Sequence, residues 1–229
     1  MSRNAIVQFH INPSLYKKGN KTSVLDKTNE VIFNYSSKSF RDYCIKYDLD
    51  YILITEPKVN YIHPTWERLD LWINKDHWFD KYDSICYVDT DVFALPKADN
   101  IFSFSKDNKF CRVPYWKANK ELDQDSIFIG TRIKESGFQA GVILLNSYVI
   151  EKTIDDVLDY KNIKFTDDSV LLNYAIANSD IDIYNIPETF NVKYTPNTNL
   201  SVVNFLHAFG KFKVNHPEAF LSTLKGIFN

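Results

Sequence analysis

Short apolar runs and amphipathic stretches take turns along this chain. Residues 5–11 (AIVQFHI), 51–55 (YILIT), 84–88 (SICYV), 141–146 (GVILLN) and 181–186 (IDIYNI) have the length and make-up of strands, and 51–55 and 141–146 are apolar enough for burial on both faces. Residues 36–47 (SSKSFRDYCIKY) space Phe40, Tyr43, Cys44 and Tyr47 at helical intervals behind serines suited to capping. His63-Pro64-Thr65 opens a second helix, since proline is tolerated in a first turn, and Trp66, Leu69, Trp72, Ile73 and Trp78 then recur on one face. Residues 168–178 (DSVLLNYAIAN) predict a third helix and 217–228 a short amphipathic one. Residues 17–28 read as a polar loop, 114–138 as a mixed segment without a definable element, and 190–205 as irregular except toward 201–206. Strands alternating with helices predict an α/β, Rossmann-like domain with a mixed, mostly parallel sheet flanked by helices.

Composition narrows the classes. At 229 residues with 45% apolar side chains, the chain suits one domain with a full core. A net charge of -2 lacks the basic field that nucleic-acid binding requires. None of the 6 glycines lies two positions from another, which excludes a GxGxxG loop, and no GxxxxGK[ST] phosphate loop occurs. The 3 cysteines, Cys44, Cys86 and Cys111, form no CxxC pair and read as reduced thiols. No secretory apolar region follows Met1, and no run of about 18 apolar residues offers a transmembrane helix. A soluble, cytoplasmic protein is expected, with membrane contact limited to the periphery. The Lys-, Asn- and Ile-rich composition points to an AT-rich genome, bacterial or viral.

Four places carry candidate chemistry. Asp89-Thr90-Asp91 directly follows the apolar run 84–88 and precedes a second one, Val92-Phe93-Ala94-Leu95-Pro96. Three other Asp-x-Asp triplets occur, at 48/50, 123/125 and 180/182, so position rather than spacing singles this one out. Ligands of open α/β sheets bind at the carboxyl ends of strands, and paired carboxylates there call for a divalent cation. The competing reading is that they cap the next turn. His207 follows another apolar stretch, with Gly210 and Lys213 beyond it. An imidazole ligand would favour Mn²⁺ over Mg²⁺, and the glycine and lysine suit a phosphate; a core histidine is the plain alternative. Asp167-Asp168 opens a helix, where acidic residues are favoured by capping alone, or aims a carboxylate at a reacting carbon or acceptor hydroxyl. Arg68, just ahead of the 84–88 strand, either reaches a diphosphate or lies solvated.

Taken in order, these segments resemble glycosyltransferases of the GT-A fold, most closely glycosyltransferase family 8, the group that includes glycogenin and bacterial lipopolysaccharide galactosyltransferases. The family's strand-then-DxD is matched by 87–92 (YVDTDV), its FNAGVLLIN by 138–146 (FQAGVILLN), and its DQxxLN by 168–173 (DSVLLN). Ile186-Pro187 leads to Phe190-Asn191, and HxxGxxK is met by His207, Gly210 and Lys213. The resemblance implies that Asp89, Asp91 and His207 bind Mn²⁺ (or Mg²⁺) bridging the diphosphate of a nucleotide sugar, UDP-linked. It implies that Gly210 and Lys213 hold the diphosphate and that Arg68 contacts the donor. It places Thr90, Ala140 and Gly141 by the donor, with Asp168 close to the anomeric carbon, and Phe9, His10, Ile11, Asn12 and Tyr16 in the base pocket. Three positions depart from the pattern: Gln139 for Asn, Ser169 for Gln, and Val214-Asn215-His216-Pro217 for the usual Pro-Trp.

The resemblance thus implies a metal-dependent transferase moving a sugar to a hydroxyl of a glycan, glycolipid or glycoprotein, with retention. Residues 1–95 would form a nucleotide-binding half, 96–217 an acceptor and catalytic half, and 217–229 a C-terminal helix of the same single domain. Alternatives are a non-catalytic nucleotide-sugar or glycan-binding relative, a metal-dependent hydrolase of the donor, and an inverting transferase with Asp168 as base.

Overall fold

The computed structural model describes residues 3–12, 15, 27–61, 63–114, 138–159, 168–208 and 216–228. The first apolar run becomes β1 (Asn4–Phe9), slightly shorter than its hydrophobic stretch. Helix α1 (Lys27–Tyr47) begins nine residues before the expected start, because Ile32 and Phe33 continue its buried face toward the N-terminus. Lys27 and Thr28, expected in a loop, are helical; the rest of that loop, 17–26, lies outside the described residues. The helix gives way at Asp48, whose φ of 53° is the left-handed turn that short polar side chains tolerate after a last helical residue.

Strand β2 (Asp50–Ile54) follows. The helix expected from His63 onward is broken into a 3₁₀ helix (Pro64–Leu69), α2 (Asp70–Ile73) and α3 (Lys75–Phe79). Its break falls at Asn74, with φ -111° and ψ 39°. Trp66, Leu69, Trp72 and Trp78 are buried as expected, but Ile73 is exposed, since the break turns it away from their shared face. Strands β3 (Ser84–Val88), β4 (Val92–Ala94), β5 (Lys109–Pro114) and β6 (Phe138–Leu145) come next, then α4 (Ser147–Leu158) and α5 (Asp168–Asn178). Strands β7 (Asp182–Asn185), β8 (Val192–Lys193) and β9 (Phe205–His207) precede α6 (Pro217–Phe228).

Six strands form one sheet in the order β2-β1-β3-β6-β5-β7. All neighbouring pairs are parallel except those of β6, which runs antiparallel to both β3 and β5. The run 141–146, apolar enough for a parallel sheet, is therefore the one reversed strand; burial between layers produces the same apolar pattern in either direction. Strand β2, expected to be fully buried, is only half-buried because it forms a sheet edge. A second, three-stranded sheet has the order β4-β9-β8.

The alternation along β1 and β3 divides the core. Ala5, Val7, Phe9, Ile85 and Tyr87 face the layer of α2–α5, where Trp72, Val149, Leu171 and Leu172 pack. Ile6, Cys86 and Val88 face Phe40, Tyr43 and Phe205 on the other side. A third cluster joins Phe220 and Leu224 of α6 to Ile32 of α1 and to Phe93 and Leu206 of the small sheet. Burying each of the two α6 side chains contributes about 1.5–3 kcal/mol, which pins the C-terminal helix over β4 and β9. Because β6 inserts between β3 and β5, the two sequence halves share one sheet. No helix among the described residues is long and apolar enough to cross a membrane.

Candidate metal and donor site

The chain leaves β3 at Asp89, turns through Thr90 and Asp91, and enters β4. Main-chain bonds fix this turn: Asp89 N donates to Gly141 O at 2.9 Å, and Val92 N donates to Asp89 O at 3.1 Å. Strand β9 runs antiparallel to β4 with His207 opposite Val92, and Ala208 N donates to Asp91 O at 2.8 Å. The central sheet thus delivers Asp89 and the small sheet delivers His207 to one point. One donor atom each from Asp89, Asp91 and His207 lies within 4.8 Å of the others. His207 Nε2 is 3.3 Å from Asp91 Oδ1, and its Nδ1 is 2.8 Å from Asn191 Oδ1.

Gly141 completes this corner by lacking a side chain. A Cβ at that position would stand 2.5 Å from His207 Cε1 and 3.0 Å from Asp89 Oδ2. Two carboxylate oxygens and an imidazole nitrogen, converging where the backbone leaves room, form a donor set that suits Mn²⁺ and fits Mg²⁺ less well.

Arg68 lies behind the corner, buried. Its Nε is 2.5 Å from Asp168 Oδ2 and its Nη2 3.5 Å from Asp89 Oδ1, while Nη1 donates to the Ala140 carbonyl. The guanidinium also sits 4.5 Å from the centroid of the Tyr87 ring. An arginine between two carboxylates and an aromatic face is compensated for the loss of water. Tyr87 in turn donates its hydroxyl to Asp89 Oδ1 at 2.5 Å. Burial pushes its phenol well above the ordinary value; Arg68 opposes that shift and Asp89 adds to it, so Tyr87 stays a donor. Asp89, Asp91 and Asp168 against Arg68 leave two formal negative charges among the described groups, matching a divalent cation.

Several supports have no role assigned by the sequence motifs. Gln8, wholly buried in β1, donates to the Asp89 carbonyl at 3.1 Å and to Ser36 Oγ at 2.9 Å, and accepts from Tyr51 at 2.7 Å. Ser36 then donates to Val92 O at 2.5 Å, tying α1 to the same turn. A polar residue in the middle of the apolar run AIVQFHI was the available signal, because a buried amide requires partners. Glu67 accepts from the backbone N–H groups of Lys58, Val59 and Asn60 at 2.6–2.8 Å and so orders the loop after β2. Asn173 exchanges hydrogen bonds with the backbone of Phe138 (2.9 and 3.0 Å), fastening α5 to the start of β6. The start of α5 carries Asp168 to Arg68.

The remaining expected site residues lie as follows. Ala140 is buried and contacts Arg68 through its carbonyl, and Thr90 is half-buried between the two aspartates. Phe9 is buried against Tyr87 with ring centroids 6.1 Å apart. His10 stacks on Phe33 at 3.5 Å and 4°, with Glu30 3.7 Å from its Nε2, and Asn12 is exposed. Burial lowers the His10 pKa and Glu30 opposes that. Tyr16, Gly210, Lys213 and Asp167 lie outside the described residues, as do the other Asp-x-Asp positions 123 and 125.

No protein-family model and no curated protein matches the sequence. Solved structures do match the fold. A glycosyltransferase involved in glycosylation of the major capsid of PBCV-1 superimposes with TM-score 0.62 at 12% identity, covering 96% of this chain and 99% of that one. The galactosyltransferase LgtC, in complex with donor and acceptor sugar analogues, gives 0.54 at 14% identity, with 98% and 96% covered. The bifunctional glycosyltransferase WbbM gives 0.59 at 13%, over 91% of this chain and 46% of that protein. The α/β architecture of this chain, a mostly parallel six-stranded sheet flanked by helices, is therefore the GT-A fold.

Proposed function

We propose that this chain is a metal-dependent glycosyltransferase. It would move a sugar from a UDP-linked donor to a hydroxyl of a glycan, glycolipid or glycoprotein, with retention. The observation that carries the reading is the meeting of Asp89, Asp91 and His207 beyond the carboxyl end of β3 in a GT-A fold. Those three residues would hold the cation, Mn²⁺ before Mg²⁺ because of the imidazole. The bound cation supplies positive charge for the diphosphate that departs from the sugar. Arg68 would keep Asp89 and Asp168 in place and add positive charge beside the site. By the resemblance, Gly210 and Lys213, three and six residues past His207, would hold the same diphosphate.

Retention is favoured over inversion by the state of Asp168. Its carboxylate is already engaged by Arg68 at 2.5 Å, which competes with service as a general base toward an acceptor. The acceptor classes draw on the fold neighbours: LgtC was captured with donor and acceptor sugar analogues, and the PBCV-1 enzyme takes part in glycosylating a capsid protein. Residues 1–95 would supply most donor contacts and 96–217 the acceptor side, with β6 and β9 of the second half crossing back into the donor corner.

Thermal melting tests the reading. The chain is melted with UDP, GDP and their sugars, each with Mn²⁺, Mg²⁺ or EDTA. A ligand at 100 times its Kd adds about 2.7 kcal/mol, a readable shift. The expected result is a Mn²⁺-dependent shift with UDP-sugars that Asp91→Asn abolishes and that is followed by sugar transfer exceeding donor hydrolysis. Cooperative melting with no shift from any nucleotide would overturn the proposal.

A further inference from the structure

The third candidate ligand has a holder to which the sequence motifs assign no role. Asn191 follows the 3₁₀ turn Glu188–Phe190 and is 2% exposed. Its position is rigid. Phe190 packs edge-on against Phe205 at 5.1 Å and Phe104 at 5.5 Å, and Asn204 N donates to Thr189 O at 2.8 Å. From there Asn191 Oδ1 faces His207 Nδ1 at 2.8 Å, whereas Asn191 Nδ2 is buried and makes no hydrogen bond.

A neutral imidazole has one N–H. If Nε2, the nitrogen on the Asp91 side, is to offer a lone pair to a cation, the proton must sit on Nδ1 and needs an acceptor there. The carboxamide oxygen is that acceptor. The reverse amide orientation would set Nδ2 against Nδ1, force the proton onto Nε2, and aim it at the place of the cation. An unsatisfied buried N–H₂ has a cost, and here it accompanies the orientation that puts the ring proton on Nδ1.

We infer that Asn191 is a positioning residue of the metal corner: its carboxamide oxygen fixes the ring orientation and the Nδ1–H tautomer of His207 and leaves Nε2 to ligate. The inference rests on the reading of Asp89, Asp91 and His207 as a cation site. Outer partners of this kind typically change metal affinity by roughly 10–100-fold when removed.

The probe is Mn²⁺ alone, with free ion counted by its electron paramagnetic resonance signal, on wild type and on the Asn191→Leu, Asn191→Asp and His207→Ala variants. Leucine keeps the volume and loses the acceptor, so Asn191→Leu is expected to bind Mn²⁺ roughly 10–100-fold more weakly. Aspartate also accepts from Nδ1–H, so Asn191→Asp is expected to keep at least wild-type affinity while Asn191→Leu loses it, a split that a merely space-filling role, met by both side chains, would not produce. With diamagnetic Zn²⁺ bound, ¹⁵N shifts of His207 in the wild type should show Nδ1 protonated. That spectrum decides the matter if Asn191→Leu does not melt cooperatively. Wild-type affinity in Asn191→Leu, with His207→Ala weakened, overturns this inference alone, as does a proton on Nε2. Wild-type affinity in His207→Ala overturns the metal reading and the inference with it.

Discussion

Gly141 offers the most quantitative handle on the proposed metal corner. Replacing it with alanine adds one carbon 2.5 Å from His207 Cε1, 3.0 Å from Asp89 Oδ2 and 3.1 Å from His207 Nδ1, where ordinary contact starts at 3.4 Å. The imidazole must therefore retreat by about 1 Å to regain van der Waals distance. It has little room to do so. The ring is 2% exposed, its backbone is registered against β4 and β8, and Asn191 holds its Nδ1. Overpacking of this kind costs about 1–3 kcal/mol, and a chain of this length loses about 2–4 °C in Tm per kcal/mol. Ligand distances in metal sites tolerate about 0.2 Å, so a shift several times larger should lower Mn²⁺ affinity by at least about tenfold. Gly226 in α6 provides the control, since a Cβ there meets nothing within 4 Å. Gly226→Ala should leave Mn²⁺ binding alone and stabilise the helix by up to about 1 kcal/mol. Differential scanning calorimetry and a Mn²⁺ titration on both variants make the comparison. A Gly141→Ala protein that melts and binds like wild type would refute the packing argument. One that loses stability yet keeps full Mn²⁺ affinity would refute the link between the seat of the ring and the cation.

Three more outcomes follow from the same structure. Gln8→Leu strips the Asp89 carbonyl, Ser36 and Tyr51 of a shared buried partner and should cost about 1–3 kcal/mol in urea unfolding; a loss below about 0.5 kcal/mol would contradict the network, being within the scatter of surface substitutions. His10 has a folded pKa below its usual 6.5, chiefly through burial. The unfolded chain therefore binds a proton that the folded chain declines, and this part of the stability is present above 6.5 and lost as pH falls below it. His10→Phe keeps a ring on Phe33 without the titration, so wild type should lose more Tm than the variant between pH 7.5 and 5; equal losses would count against it. Burial pushes the Cys44 thiol up to about 12 and raises Cys86 and Cys111 as well. The native protein should resist thiol reagents at pH 8 and react fully in guanidinium, and rapid native labelling of any one of the three would disprove their enclosure.

How far the fold was legible depends on what each run of residues had to satisfy. Strand β3 was readable to the residue because SICYV is buried on both faces and bounded by polar neighbours. Direction was not readable for β6. Both faces of FQAGVILL are covered whichever way it runs, and only pairing with β3 and β5 sets the sense. The start of α1 was missed because its apolar residues Val31, Ile32 and Phe33 are consecutive rather than spaced at helical intervals, and Ile32 is buried only where α6 and β4 surround it. Helix α4 was not predicted although Val149, Ile150, Thr153 and Val157 sit at helical intervals, and Asn146 caps it by accepting from Val149 N at 3.0 Å.

The candidate site divides along a different line. Residues with conspicuous chemistry, Asp89, Asp91 and His207, could be named from sequence, and they do converge in space. The residues that aim them were less legible: Asn173 and Asn191 stand inside the segments 168–173 and 190–191 with no role assigned to them, and Gln8 carried only the signal of a polar residue in an apolar run. Asn191 meets His207, Asn173 fastens β6, and Gln8 holds the turn after β3. Each is a neutral amide beside a charged or backbone group. A carboxylate in the same place would add negative charge to a corner that, among the described residues, already has three carboxylates against one arginine. An amide offers both a donor and an acceptor without altering that balance. On this argument the uncharged frame is what leaves the two net negative charges of the corner for an incoming divalent cation. An aspartate introduced among the framing amides other than Asn191, whose oxygen faces an N–H on the ring, is then expected to cost more stability than the corresponding alanine.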